Sequence, residues 1–204
     1  ASDRNLSDVR FAVQYVIRPQ SAKARDYRGY AGSVSSGVIR VGDPIMALPS
    51  GFTTSISAID TPTGPVDEAY PPMAVVVRLA DEIDISRGDM LVRPNNTVEP
   101  RQDLDLRVCW MDETTALAPG RMLAIKHTTV WARVKVKEVV YRVDINTLHR
   151  DESATSLSLN EIGRVRMRCT RPLWMDDYAE NRTTGAVILV DEATNRTVGA
   201  GILS

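Results

Sequence analysis

A period of two runs through this chain and leaves little room for anything but β-structure. Leu104, Leu106, Val108 and Trp110 alternate with Asp105, Arg107 and Cys109. Val130, Ala132, Val134 and Val136 alternate with Trp131, Arg133, Lys135 and Lys137. Val165, Met167 and Cys169 alternate with Arg164, Arg166 and Arg168. Near the start, Val9, Phe11, Val13, Tyr15 and Ile17 alternate with Arg10, Ala12, Gln14 and Val16. Successive side chains of a strand point to opposite faces, so each run predicts one buried and one wet face. No stretch of 12 or more residues carries a helical stripe. Turn signals separate the runs at Gly42-Asp43, Ser50-Gly51, Thr63-Gly64-Pro65, Arg87-Gly88-Asp89, Pro119-Gly120 and Asn160-Glu161-Ile162-Gly163. Short strands at this spacing predict an all-β chain of barrels or sandwiches.

The 204 residues are enough for two units of about 100 each. A boundary falls at Arg93-Pro94-Asn95-Asn96-Thr97-Val98-Glu99-Pro100, where two prolines deny a sheet its donors and stiffen the backbone. Two consecutive β-barrels are therefore expected, over residues 1–96 and 99–204. The 43% hydrophobic content supplies a core for each and excludes a disordered tail. The net charge is −1, and the halves are balanced: 10 basic and 11 acidic residues in 1–98, 15 and 15 in 99–204. That balance argues against a strongly basic nucleic-acid module. The longest uncharged stretch, Pro44 to Ile59, has 16 residues with Pro, Gly, Ser and Thr among them, so no membrane-spanning helix is expected. Cys109 and Cys169 make neither a disulfide framework nor a metal site and suit small buried positions. No secretory signal precedes the first strand, and a cytoplasmic protein is expected. The start at Ala1-Ser2-Asp3, without Met, suggests a piece of something longer. Arg outnumbers Lys by 21 to 4, a skew that GC-rich codons explain without any function.

The search for chemistry returns little. A phosphate-cradling loop needs close glycines followed by Lys and Ser or Thr, and the chain contains no Gly-Lys pair. Gly29, Gly32 and Gly37 have strand-like flanks and read as barrel glycines. His127 and His149 are the only histidines, and neither has a second ligand at metal spacing. His127 reads as a hydrogen-bonded structural histidine at a strand end. Asp81-Glu82-Ile83-Asp84 and Asp176-Asp177 read as exposed acids rather than cation sites. No serine sits in a nucleophile elbow. Neither an active site nor a bound cofactor or metal is expected in this segment. The strongest charge feature is the row Arg164, Arg166 and Arg168, with Arg171 beyond it. Alternation puts the first three on one strand face, where they are either answered by acids such as Glu161, Asp176 and Asp177 or offered to an acidic partner.

Longer stretches resemble the barrels that follow the GTPase domain in the translation elongation factor superfamily. The segments are Phe11-Ala12-Val13-Gln14-Tyr15-Val16, Gly29 through Asp43, Ala74 through Leu79 with Ile85 through Leu91, and the closing Thr197 through Leu203. Within that superfamily the chain resembles the large, GTPase subunits of bacterial sulfate adenylyltransferases. Four motifs carry this: Gln14-Tyr15-Val16-Ile17-Arg18-Pro19, Asp26-Tyr27-Arg28-Gly29-Tyr30-Ala31-Gly32, Tyr141 through Leu148, and Tyr178-Ala179-Glu180-Asn181-Arg182-Thr183-Thr184-Gly185 with its continuation to Gly201. The resemblance implies elongation-factor-like second and third domains serving sulfate assimilation. It implies GTP and Mg2+ in a GTPase domain outside this segment, and a small catalytic subunit as partner. In some members of the family an adenylylsulfate kinase domain follows. The full enzymes make adenylyl sulfate and pyrophosphate from ATP and sulfate, driven by GTP hydrolysis. The rival reading is a translation factor whose two barrels bind RNA.

Overall fold

The computed structural model describes residues 5–19, 27–144 and 147–203. Those residues form strands and no helix. The chain divides into two compact units, Ala1–Val98 and Glu99–Ser204.

The first unit contains β1 (Arg10–Ile17), β2 (Gly29–Ser36), β3 (Ile39–Arg40), β4 (Pro44–Leu48), β5 (Thr53–Thr61), β6 (Gly64–Val66), β7 (Glu68–Ala69), β8 (Ala74–Leu79) and β9 (Met90–Val92). Its sheet runs β4-β9-β1-β2-β8-β5, and β4 pairs again with β5, so six strands close on themselves. β6 extends β5 as a hairpin, and β3 with β7 makes a small separate ribbon. Phe11, Val13, Tyr30, Val34, Ile45, Ile56, Ile59, Val77 and Leu91 fill the interior.

The second unit contains β10 (Pro100–Trp110), β11 (Met122–His127), β12 (Val130–Val143), β13 (Arg150–Asp151), β14 (Ile162–Trp174), β15 (Ala186–Val190) and β16 (Thr197–Leu203). The order β11-β15-β16-β10-β14-β12 closes through β11 and β12 into a second six-stranded barrel. The alternating runs place Leu104, Leu106, Val108, Trp110, Val134, Val136, Val165, Met167 and Cys169 in one core. Closure pairs each of the six barrel strands on both sides and removes the edges that an open sheet would expose.

Among several shifts in pairing, two bear on the runs that the sequence pattern defines. On β1, the pairing with β2 shifts between Val13 and Tyr15, so Gln14 is an extra residue. Tyr15, expected inside from its phase with Val13, is turned out and 67% exposed. On β12, the pairing with β14 shifts between Val136 and Glu138. Lys137 and Glu138 are consequently both exposed, and Val139 returns to the core.

The proline-flanked boundary begins as a tight turn rather than a free tether. Asn96 N–H donates to the Arg93 carbonyl at 3.0 Å. The buried Arg10 guanidinium donates to the Asn96 backbone oxygen at 3.0 Å and to its side-chain oxygen at 3.1 Å. Pro100 already opens β10. Arg10 points away from the barrel interior yet is covered, because this turn folds over it. Arg10→Ala leaves those acceptors without their donor, and a buried unmet acceptor costs about 2–3 kcal/mol when the lost donor is charged. Urea unfolding of the variant should show the first barrel destabilised by that amount, with the transition of the second barrel unmoved.

Candidate interaction surface

The arginine row occupies the outer face of β14 as its alternation predicts, but its acids come from neighbouring strands. Register sets Arg168 opposite Asp103, Arg166 opposite Asp105 and Arg164 opposite Arg107 on β10. Arg164 grips Asp105 with two bonds of 2.7 Å each, from Nε and Nη2. Arg166 donates to Glu138 at 3.0 Å and lies 3.7 Å from the second oxygen of Asp105. Arg168 donates to Asp103 at 2.6 Å. The acids nearer in sequence are engaged elsewhere: Glu161 with Arg142, Asp177 with Arg101, and Asp176 with the Thr184 hydroxyl. All three arginines are thus answered within the barrel, as an exposed ladder of ion pairs.

Two polar clusters brace the same barrel. Trp110 is fully buried, its indole N–H donates to the Thr115 carbonyl at 2.7 Å, and Arg121 stacks over its ring at 4.9 Å. The Arg121 guanidinium reaches Asp112 at 3.4 Å and Asp191 at 3.3 Å, tying the end of β10 to the turn after β15. Hydrogen bonds from Thr115 and Thr114 hold the Asp112 carboxyl well below the ordinary carboxylate range. This is a structural clamp: both carboxylates are consumed by one guanidinium and by their own turns.

The second cluster surrounds His127 at the end of β11. The ring is 1% exposed, and its Nε2–H donates to the Thr184 carbonyl at 2.7 Å. A carbonyl only accepts, so the proton resides on Nε2. Burial holds the imidazole below its ordinary value, against the opposing pull of the Thr184 carbonyl and of Asp176. The sequence expectation of a structural histidine is met. The pH consequence has a definite sign. The unfolded chain takes up a proton at about pH 6.5, whereas the folded one resists until lower pH. His127 therefore withdraws stability from the second barrel as pH falls from about 6.5 toward its folded value. Urea midpoints at pH 7.5, 6.5 and 5.5 should decline more steeply for the parent chain than for His127→Gln.

The environment of Cys169 keeps it unreactive. Cys169 is buried, and burial pushes its thiol up to about 11. Among the described residues, no three His, Cys, Asp or Glu side chains gather as metal ligands. The glycines of the first barrel do not cradle a phosphate: Gly29 and Gly32 lie within β2 and pair with Ile17 and Val13 on β1.

A groove interrupts the outer wall of the second barrel. It encloses about 540 Å³ between β11, β12, β14 and β15, with Ala124, Ala132, Val190 and Trp131 as its apolar surface and Arg133 bonded across it to Glu192. The sequence placed Trp131 outside through alternation. It held no signal for the groove, which needs the closure of β11 onto β12.

Comparison with known proteins fixes the family. Residues 103–204 match the model described as GTP-eEF1A C-terminal domain-like. The chain belongs to that family. Among relatives of this GTP-eEF1A C-terminal domain-like chain, the bifunctional enzyme CysN/CysC of Mycobacterium tuberculosis is 56% identical over 94% of the chain. The protein of the same name from Rhodopirellula baltica is 46% identical over 99%, and sulfate adenylyltransferase subunit 1 of Bacteroides fragilis is 43% identical over 93%. The chain spans 31%, 30% and 39% of those three proteins. The structure of Sup35 complexed with GDP superposes on 96% of the chain with a TM-score of 0.83 at 14% identity, the chain covering 47% of it. That likeness carries the fold: two elongation-factor-like barrels in sequence.

Proposed function

We propose that this chain is the two-barrel region of the GTPase subunit of a cytoplasmic sulfate adenylyltransferase. The observation that carries the reading is the 56% identity to CysN/CysC of Mycobacterium tuberculosis across 94% of the chain. In this reading the whole protein joins ATP and sulfate into adenylyl sulfate with release of pyrophosphate, and GTP hydrolysis drives that uphill reaction. GTP and Mg2+ belong to a GTPase domain outside the segment. The adenylylation site belongs to a small catalytic subunit, and an adenylylsulfate kinase domain follows in the bifunctional form. The barrels transmit the nucleotide state, packing against the GTPase domain and helping to hold the catalytic subunit. Such coupling requires contacts that differ between nucleotide states.

The rival reading, RNA-binding barrels of a translation factor, draws support from the family model over residues 103–204 and from the Sup35 likeness at 14% identity, neither of which reaches the 56% identity above. The activity of the whole protein separates the two. GTP-dependent formation of adenylyl sulfate by the whole protein and a small subunit is the expected result. Binding of charged transfer RNA with a steep salt dependence overturns it. The chain of 204 residues alone should give no saturable heat with GTP and magnesium, and micromolar binding would contradict the assignment of nucleotide chemistry elsewhere.

The row of Arg164, Arg166 and Arg168 enters this reading as a partner surface for the GTPase domain or the small subunit. Arg166→Glu in the whole protein should weaken subunit association or GTP coupling. Unchanged assembly and coupling would leave the row as a solvated ion-pair ladder.

A further inference from the structure

Several cations of the second barrel have no acid partner among the described residues, and a group of them stands one strand away from the arginine row. The chain has only four lysines, and three of them, Lys126, Lys135 and Lys137, stand on the outer faces of β11 and β12. Lys135 faces Arg168 directly across the β12–β14 pairing, and Arg168 is spent on Asp103. Like charges set opposite each other on a sheet are destabilising unless a counter-charge meets them. Among the described residues no acid pairs with Lys126, Lys135, Lys137 or Arg171. Lys126 instead sits 5.6 Å over the ring of Trp131, which is 49% exposed. The groove of about 540 Å³ opens beside this tryptophan, and Arg171 lines its wall. Free cations thus stand on the groove wall at Arg171 and along the outward row of β12 at Lys135 and Lys137, two and four residues past the groove-lining Arg133.

We propose that this face docks an acidic polypeptide segment that seats an aliphatic or aromatic side chain on Trp131 and its acids on Lys135, Lys137 and Arg171. One feature selects a polypeptide over a nucleic acid: the groove surface at Ala124, Ala132 and Val190 is aliphatic and suits a side chain better than a phosphodiester. Because β11 and β12 are each paired on both sides, recognition works through side chains and not through addition of a strand. Buried aromatic anchors ringed by charge are the usual centres of binding energy at such surfaces.

Selection of displayed random peptides on the whole 204-residue chain tests this, followed by anisotropy titration of the selected peptides. The expected peptides carry two or more acids flanking Leu, Phe or Trp, and bind saturably. Trp131→Ala, an exposed position that leaves the core intact, should weaken them about tenfold or more, as loss of an aromatic anchor does. Lys135→Glu with Lys137→Glu should do the same, and added salt should weaken the parent interaction. Thermal melts confirm that both variants stay folded. Selected peptides without acids, peptides that bind Trp131→Ala as well as the parent, or no saturable binding below about 1 mM, some 4 kcal/mol, each overturn the proposal. Competition by an oligothymidylate at comparable affinity overturns it in favour of a nucleic-acid surface.

Discussion

Everything else in each unit depends on one closing pair of strands. In the first barrel Pro44, Ile45 and Met46 pair with Ser55, Thr54 and Thr53. In the second, six consecutive pairs from Met122 with Lys135 to His127 with Val130 join β11 to β12. Without those ladders each sheet would present two open edges and a half-covered apolar face, and neither core would be enclosed. Closure also decides which residues are free for other work. Inward residues are committed to packing, loops to turn geometry, and only the outward residues of each barrel wall can carry charge at little cost to stability.

Much of this was legible in the sequence. The runs through Trp110 and Cys169 fall into the core in the phase that alternation demands, and the named turns fall at Gly42, Gly51, Gly64, Gly88 and Gly120, all with positive φ. What alternation could not carry was the register between strands and the places where it slips. Tyr15 was expected inside because nothing in the residues marks Gln14 as supernumerary; that is a property of how β1 meets β2. The acids that answer the arginine row lie 28 to 65 positions away, at Glu138, Asp105 and Asp103. Closeness in sequence pointed to Glu161, Asp176 and Asp177 instead. Cross-strand neighbours are set by pairing, and pairing is a long-range property of the sheet. The functional reading came only through resemblance, because the residues on their own offered no motif that carries chemistry.

The charge pattern of the second barrel separates into two kinds. On β14 the cations Arg164, Arg166 and Arg168 are consumed by fixed partners, and exposed pairs of this sort add modestly to stability, about 0.2–1 kcal/mol each. On β12, Lys135 and Lys137 have no acid partner among the described residues, and Lys135 faces Arg168 across the sheet. A protein tolerates such a cost when the charge serves something outside the fold. The contrast between adjoining strands of one sheet singles out a face more sharply than net charge does, because net charge averages the two away.

The slip at Lys137 and Glu138 has a consequence for how this wall can change over generations. A bulge sets a strand back in phase, so the outward residues before it and the inward ones after it answer to separate rules. Substitutions at Lys135 or Lys137 leave the phase of Val139 and Tyr141 untouched. Selection can therefore retune the wall's preference from one lineage to the next, with the interior held constant. Divergence among descendants should gather on this side of the barrel, leaving the packed side as the lasting record of common ancestry.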